Sequence, residues 1–203
     1  MLSFDQRAAE WDAEPRRQAM AQAVAKAIQS RVPLRPDWSA LEYGCGTGLV
    51  GFQLQPLLGR LMMADSSAGM LQVAQSKIDR SGVTNVELMQ LDLAIDPLPA
   101  VQYDLLFTSM TLHHLENTLQ ILSQFFRLLK TDGYLCIADL DTEDGSFHGE
   151  DFSGHHGFDR NRLRQQVLRT GFHQCAVYDA YQTSKMTAQG IKEFSLFLLA
   201  AQK

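Results

Sequence analysis

A chain of 203 residues fits one domain with a short appendage at the usual ~100 to 200 residues each, and argues against two full domains. A hydrophobic share of 45% and a charged share of 20% are globular values, so a core can form without disulfide or metal staples. With 18 Lys and Arg against 23 Asp and Glu, the net charge of -5 repels phosphate backbones and argues against generic nucleic-acid binding.

The first long helix is expected from Pro15 to Ser30, where Ala19, Met20, Ala23, Val24, Ala27 and Ile28 form one stripe and Pro33 and Pro36 end the pattern. Residues 1–36 thus read as an N-terminal helical extension to a single domain over 1–203. Ser39 to Tyr43 reads as a strand running into a glycine-rich turn, and Leu49 to Leu58 as a helix. Leu61 to Ala64 is a second strand, followed by a helix over Ser67 to Arg80 closed near Gly82. Val86 to Leu91, Tyr103 to Ser109 and Tyr134 to Leu140 are the next strands, with a helix over Glu116 to Lys130 between the last two. A polar loop, Asp141 to Gly157, precedes a helix over Asp159 to Thr170 with Asp159 as N-cap and Gly171 past its end. Cys175 to Tyr181 and Phe194 to Ala201 close the chain as strands, antiparallel because the link between them is too short for a crossover helix. The alternation of strands and helices gives an α/β fold: a doubly wound, mostly parallel, seven-stranded sheet with an antiparallel last strand.

Cys45, Cys136 and Cys175 are odd in number and lack metal-ligand spacing, so a reducing compartment is expected. The first residues carry charge where a secretory signal needs an apolar run, and no segment approaches the ~18 apolar residues of a membrane span. A cytoplasmic protein is the expectation.

The chemistry gathers at strand ends. Leu41-Glu42-Tyr43-Gly44-Cys45-Gly46-Thr47-Gly48 lies where the first strand meets the first sheet helix, a place where bare glycines let a ligand approach the backbone. Gly46-Thr-Gly48-Leu-Val-Gly51 satisfies the dinucleotide pattern, but a strand ending at Tyr43 puts the frame at Gly44, and Leu49 then stands where the third glycine belongs. Asp65 closes the second strand and can accept both hydroxyls of a ribose, and Asp92 closes the third. Acidic ends at Glu42, Asp65 and Asp92 suit a ligand bearing amino, hydroxyl and adenine N–H donors better than one with two phosphates.

These motifs in this order, with Met70-Leu71, Leu91-Asp92, Tyr103-Asp104, Met110-Thr-Leu-His-His-Leu115 and Leu129-Lys-x-x-Gly133-Tyr, resemble the class I S-adenosylmethionine-dependent methyltransferases over about residues 38 to 140. The nearest subgroup is similar to small stand-alone quinone-biosynthesis C-methyltransferases. The resemblance implies S-adenosyl-L-methionine as cofactor and methyl transfer as the activity. It also implies roles: Gly44 and Gly46 at the methionine part, Asp65 at the ribose and Asp92 at the adenine amino group. Leu93 would reach a ring nitrogen through its backbone, Ser66 and Met70 would flank the nucleoside, and the Ser109 carbonyl would face the ammonium. Glu42 would orient the loop. A cofactor-binding partner subunit without turnover, and an NAD(P)-dependent oxidoreductase, are the alternatives.

His113 and His114 follow the fourth strand on the cofactor side and are the candidate general bases, or else a helix cap and a packed ring. His155 and His156 lie where a substrate wall is expected, with loop packing the plainer use. Trp11, near Phe4, is a candidate substrate contact and lid residue, or packs the first helix onto the sheet edge. Asp139, Asp141, Glu143, Asp144 and His148 resemble a hard-metal site only in composition; a solvated acidic loop explains them, and no metal is expected. With no Asp/Asn-Pro-Pro-aromatic after the fourth strand and no domain to grip a macromolecule, the acceptor is expected to be a small molecule, with no nucleic acid as partner and no membrane span.

Overall fold

In the computed structural model, which describes residues 3–149 and 152–203, seven strands form one sheet: β1 (Ser39–Tyr43), β2 (Arg60–Asp65), β3 (Val86–Gln90), β4 (Tyr103–Ser109), β5 (Leu129–Leu140), β6 (His173–Thr187) and β7 (Gly190–Gln202). Their order is β3-β2-β1-β4-β5-β7-β6, and β7 runs antiparallel to both neighbours. The doubly wound sheet with an antiparallel last strand is therefore observed. The helices are α1 (Phe4–Arg7), α2 (Pro15–Arg31), α3 (Gly51–Leu54), α4 (Ala68–Ser81), α5 (Thr118–Leu128) and α6 (Arg160–Arg169).

Alternation along the strands splits the core in two. Leu41, Leu106, Leu135 and Ile137 face α5 and α6, meeting Ile121, Leu122, Phe125, Leu163 and Val167. Ala40, Leu61, Met63, Leu105 and Phe107 face the other way, onto α2, α3 and α4 through Val24, Ile28, Leu54, Leu71 and Ala74. The caps are those the residue types dictate: Ser67 accepts from the Met70 N–H, Asp159 from Arg162, and Gly82 ends α4 at φ +67.

Three boundaries differ from expectation. The helix expected over Leu49 to Leu58 is one α-turn, α3, then a 3-10 turn over Gln55–Leu57, because Pro56 cannot supply an amide proton. The helix expected to reach Lys130 stops at Leu128, and β5 begins at Leu129 with an irregularity opposite Tyr103 to Leu105. The link before the last strand is itself strand, since β6 and β7 extend until only residues 188 and 189 turn between them. Within the loop expected from Asp141 to Gly157, positions 150 and 151 lie outside the described residues.

Candidate active site

The carboxyl ends of β1, β2 and β4 open into a cavity of about 920 Å³. Gly44, Gly46 and Gly48 take φ values of +70, +54 and +81, which only glycine adopts readily. Gly44 and Cys45 donate their N–H groups to the Ala64 carbonyl, and Thr111 donates its hydroxyl to the Gly44 carbonyl from the β4 side. A Cβ on Gly46 would meet only the Met70 sulfur, at 4.0 Å, so this stretch of backbone faces free space.

Asp65 fastens the turn. Its Oδ2 accepts the Gly46 N–H at 2.7 Å and its Oδ1 the Ser67 N–H at 2.9 Å, while burial raises its pKa despite those bonds. Glu42 lies beneath the turn, 2% exposed, with Oε2 unpartnered. Burial, aided by the nearby Asp65 charge, pushes its pKa up to about 8. Gly51 makes room for it: a Cβ there would stand 2.2 Å from Glu42 Oε2. Ser66, Met70, Asp92 and Ser109 also line the cavity. Leu93 does not. Its N–H donates to the Tyr43 hydroxyl at 3.1 Å and its carbonyl accepts from Gln124, so the backbone contact expected of it is already spent inside the protein.

The N-terminal segment lies across this site. Asp5 accepts from the Ser67 hydroxyl and the Gly69 N–H, and Asp12 pairs with Lys77 at 2.7 Å and accepts from the Thr47 hydroxyl. Phe4 and Trp11 are thereby held on the cavity wall. Trp11 sits between the guanidinium groups of Arg7 and Arg17, 4.8 and 3.9 Å from its ring.

A histidine cluster forms another part of the wall. His113, fully buried, donates from Nδ1 to Asp139 Oδ1 at 2.6 Å, since a carboxylate only accepts. Its Nε2 faces His148 Nε2 at 2.9 Å. His114 stands edge-on to Phe4 and Phe152, and burial and the neighbouring His113 lower its pKa to about 4. His148 is lowered to about 3 by burial and by His113, so both rings are neutral at pH 7.

His155 and His156 are not brought into the cavity. The His155 backbone donates to the His113 carbonyl, and its ring reaches the Leu115 carbonyl at 3.0 Å, which ties the loop to the segment after β4. His156 is exposed and pairs with Glu143 at 3.3 Å. Phe147, His148, Phe152 and Ser153 line the cavity from that loop. The acidic residues around Asp139 are separately engaged: Asp141 with Arg160, Asp144 with Lys192, and Glu143 with the Phe147 N–H. They make no oxygen cage.

Sequence reasoning missed the cations of the cavity. Arg7, Arg16, Arg17 and Lys185 line one end with Glu14 between them, and Arg16 Nη1 is buried without a partner. Lys185 donates to the Phe147 carbonyl, and burial and the nearby arginines lower its pKa. No local signal marks this group, because it joins the start of α2 to the far half of β6.

The sequence profile described as Methyltransferase domain matches residues 40–133. The chain is 28% identical over 134 residues to an uncharacterized methyltransferase of Schizosaccharomyces pombe, a match covering 59% of this chain and 47% of the relative. It is 29% identical over 124 residues to the demethylmenaquinone methyltransferase of Bacteroides fragilis, covering 59% of this chain and 49% of that protein. The chain thus spans about half the length of these curated relatives. A SAM-dependent methyltransferase from Aquifex aeolicus superposes with a TM-score of 0.72 at 19% identity, covering 100% of this chain and 99% of that one, a likeness of fold.

Proposed function

We propose that this chain, whose residues 40–133 match a methyltransferase domain, is a class I S-adenosylmethionine-dependent methyltransferase that transfers the methyl group of that cofactor to a small anionic acceptor bound in the same cavity. The polarity of the cavity supports this reading. Acids cluster toward the β2–β3 edge of the sheet, at Asp65 and Asp92, and cations cluster where Arg16 meets Lys185 on β6 at the opposite edge. One end suits a cofactor with an ammonium, ribose hydroxyls and an adenine amino group; the other suits a carboxylate or phosphate.

The residues present fit the cofactor. Gly46 leaves free space above the turn, and Glu42 Oε2 is a buried acceptor with no partner of its own. Gly44 and Gly46 would take the methionine part, Asp65 the ribose, Asp92 the adenine amino group, and the Ser109 carbonyl the ammonium, with Ser66 and Met70 flanking the nucleoside. Asp65 has lone pairs left for this after accepting one backbone N–H on each oxygen. Bound S-adenosylmethionine supplies a methyl group on a sulfonium, already electrophilic, so the chain's work is in-line positioning of the acceptor and exclusion of water. Phe4, Trp11 and Phe152 furnish the apolar cover. His114, held neutral with a pKa near 4, is a weak base on that wall, and His113 orients the cluster from below. An acceptor atom that is already ionised, or that carries a free lone pair, matches such a site. No helix among the described residues is long and apolar enough to cross a membrane, and the three cysteines are buried and unpaired, as a reducing compartment permits. A cytoplasmic location is part of this proposal.

Incubation of the purified chain with methyl-labelled S-adenosylmethionine and a fractionated metabolite extract tests the proposal. Label should enter the acidic small-molecule fraction, and Lys185→Gln should raise KM for that acceptor while leaving cofactor affinity unchanged. Cofactor binding with no labelled product in any fraction would instead favour a cofactor-binding subunit without turnover.

A further inference from the structure

We propose that His113, His114 and His148 form a site for one divalent transition-metal ion, of the zinc, iron or cobalt class, in the wall of the cavity. The three rings bring one nitrogen each to within 4.8 Å of one another. Imidazole nitrogens are ligands for these ions, whereas magnesium and calcium want oxygens. Two nitrogens bound to one ion at ~2.0 to 2.1 Å stand roughly 2.9 to 3.4 Å apart for angles of about 90 to 110°. His113 Nε2 and His148 Nε2 are 2.9 Å apart, so this pair already has the spacing, and His114 completes the set by turning inward.

The surroundings favour the same reading. Asp139, with no exposed surface, accepts a hydrogen bond from the His113 Nδ1–H, which fixes the tautomer that leaves Nε2 to coordinate. The Asp139 carboxylate is itself fixed by the Leu140 N–H at 2.7 Å. Phe152 stacks on His148 with centroids 4.1 Å apart, and Phe147 meets its edge, so the cluster has an apolar shell on the protein side. All three histidines also line the cavity, which leaves further coordination positions open to water or an acceptor atom. The facing charges are Asp139 on one side and Lys185 and Arg7 on the other. That arrangement suits an ion whose open position holds an anionic group. The absence of ligand spacing in the chain follows from the geometry: His113 and His114 come from the turn after β4 and His148 from the loop after β5.

Tag-free protein, stripped with a chelator and titrated with Co²⁺, tests the site without cofactor or acceptor, so its outcome is independent of methyl transfer. One equivalent should bind, visible d–d absorption should appear, and Zn²⁺ should displace it. His148→Ala, at a half-buried loop position, should abolish the absorption in protein that circular dichroism shows to be folded. Asp139→Asn should weaken affinity by ~10- to 100-fold, the usual effect of losing an outer-shell carboxylate. His156→Ala, at the exposed histidine outside the cavity, should bind as wild type. No saturable absorption at millimolar Co²⁺, or equal absorption in folded His148→Ala protein, would overturn the assignment.

Discussion

Replacing Glu42 with Gln should flatten the pH dependence of stability in the cofactor-free protein. In the unfolded chain this carboxyl titrates near its ordinary value of 4.5, and in the folded protein burial holds it at about 8. Between those values the folded state keeps a proton that the unfolded state releases, so stability falls as pH rises through this window and levels off above it. At ~1.36 kcal/mol per pH unit the full effect approaches 5 kcal/mol, and roughly 3.5 kcal/mol of it falls between pH 5 and pH 8. Gln has nearly the shape of the protonated acid and does not titrate, so the variant lacks this term while sharing every other titrating group. Urea midpoints for both proteins at pH 5, 6, 7 and 8 should therefore diverge, the variant gaining on the wild type as pH rises. Parallel profiles would mean that Glu42 is ionised in the fold, with the Gly51 N–H and Lys77 outweighing its burial.

Asp65→Asn should weaken S-adenosylhomocysteine binding by ~1.5 to 3 kcal/mol, the range for hydrogen bonds to a charged group, as read by calorimetry; an unchanged dissociation constant would remove Asp65 from the ribose. If residues 4–14 act as a lid, their amides should gain hydrogen-exchange protection when S-adenosylhomocysteine is added, because Asp5 and Asp12 dock that segment on the cofactor side of the site. Equal protection with and without ligand, together with a large loss of melting temperature on deleting residues 1–14, would leave the segment a packing role only.

The order of the fold was legible in the sequence because it rests on local signals. Short apolar runs marked all seven strands, and Ser67, Gly82 and Asp159 marked helix ends through the backbone groups they satisfy or the φ they allow. The glycine turn was legible for the same reason: positive φ at Gly44, Gly46 and Gly48 is a local demand that only glycine meets cheaply. Strand lengths were less so, since β6 and β7 continue through polar residues held by their mutual ladder rather than by any pattern of their own. What only the tertiary structure decided is which polar groups share a wall. Leu93 follows a motif residue and His155 lies in the loop where a substrate wall was expected, yet their hydrogen bonds go to Tyr43 and Leu115, partners far along the chain. Conversely, Arg16 and Lys185 carry no motif and meet because the sheet order brings β6 to the side where α2 begins. Asp139 is an acid in an acidic run by sequence, and it becomes the buried partner of His113 only because β5 lies beside β4. Desolvation depends on every neighbour at once, so the pairing of buried polar groups follows from packing and not from spacing along the chain.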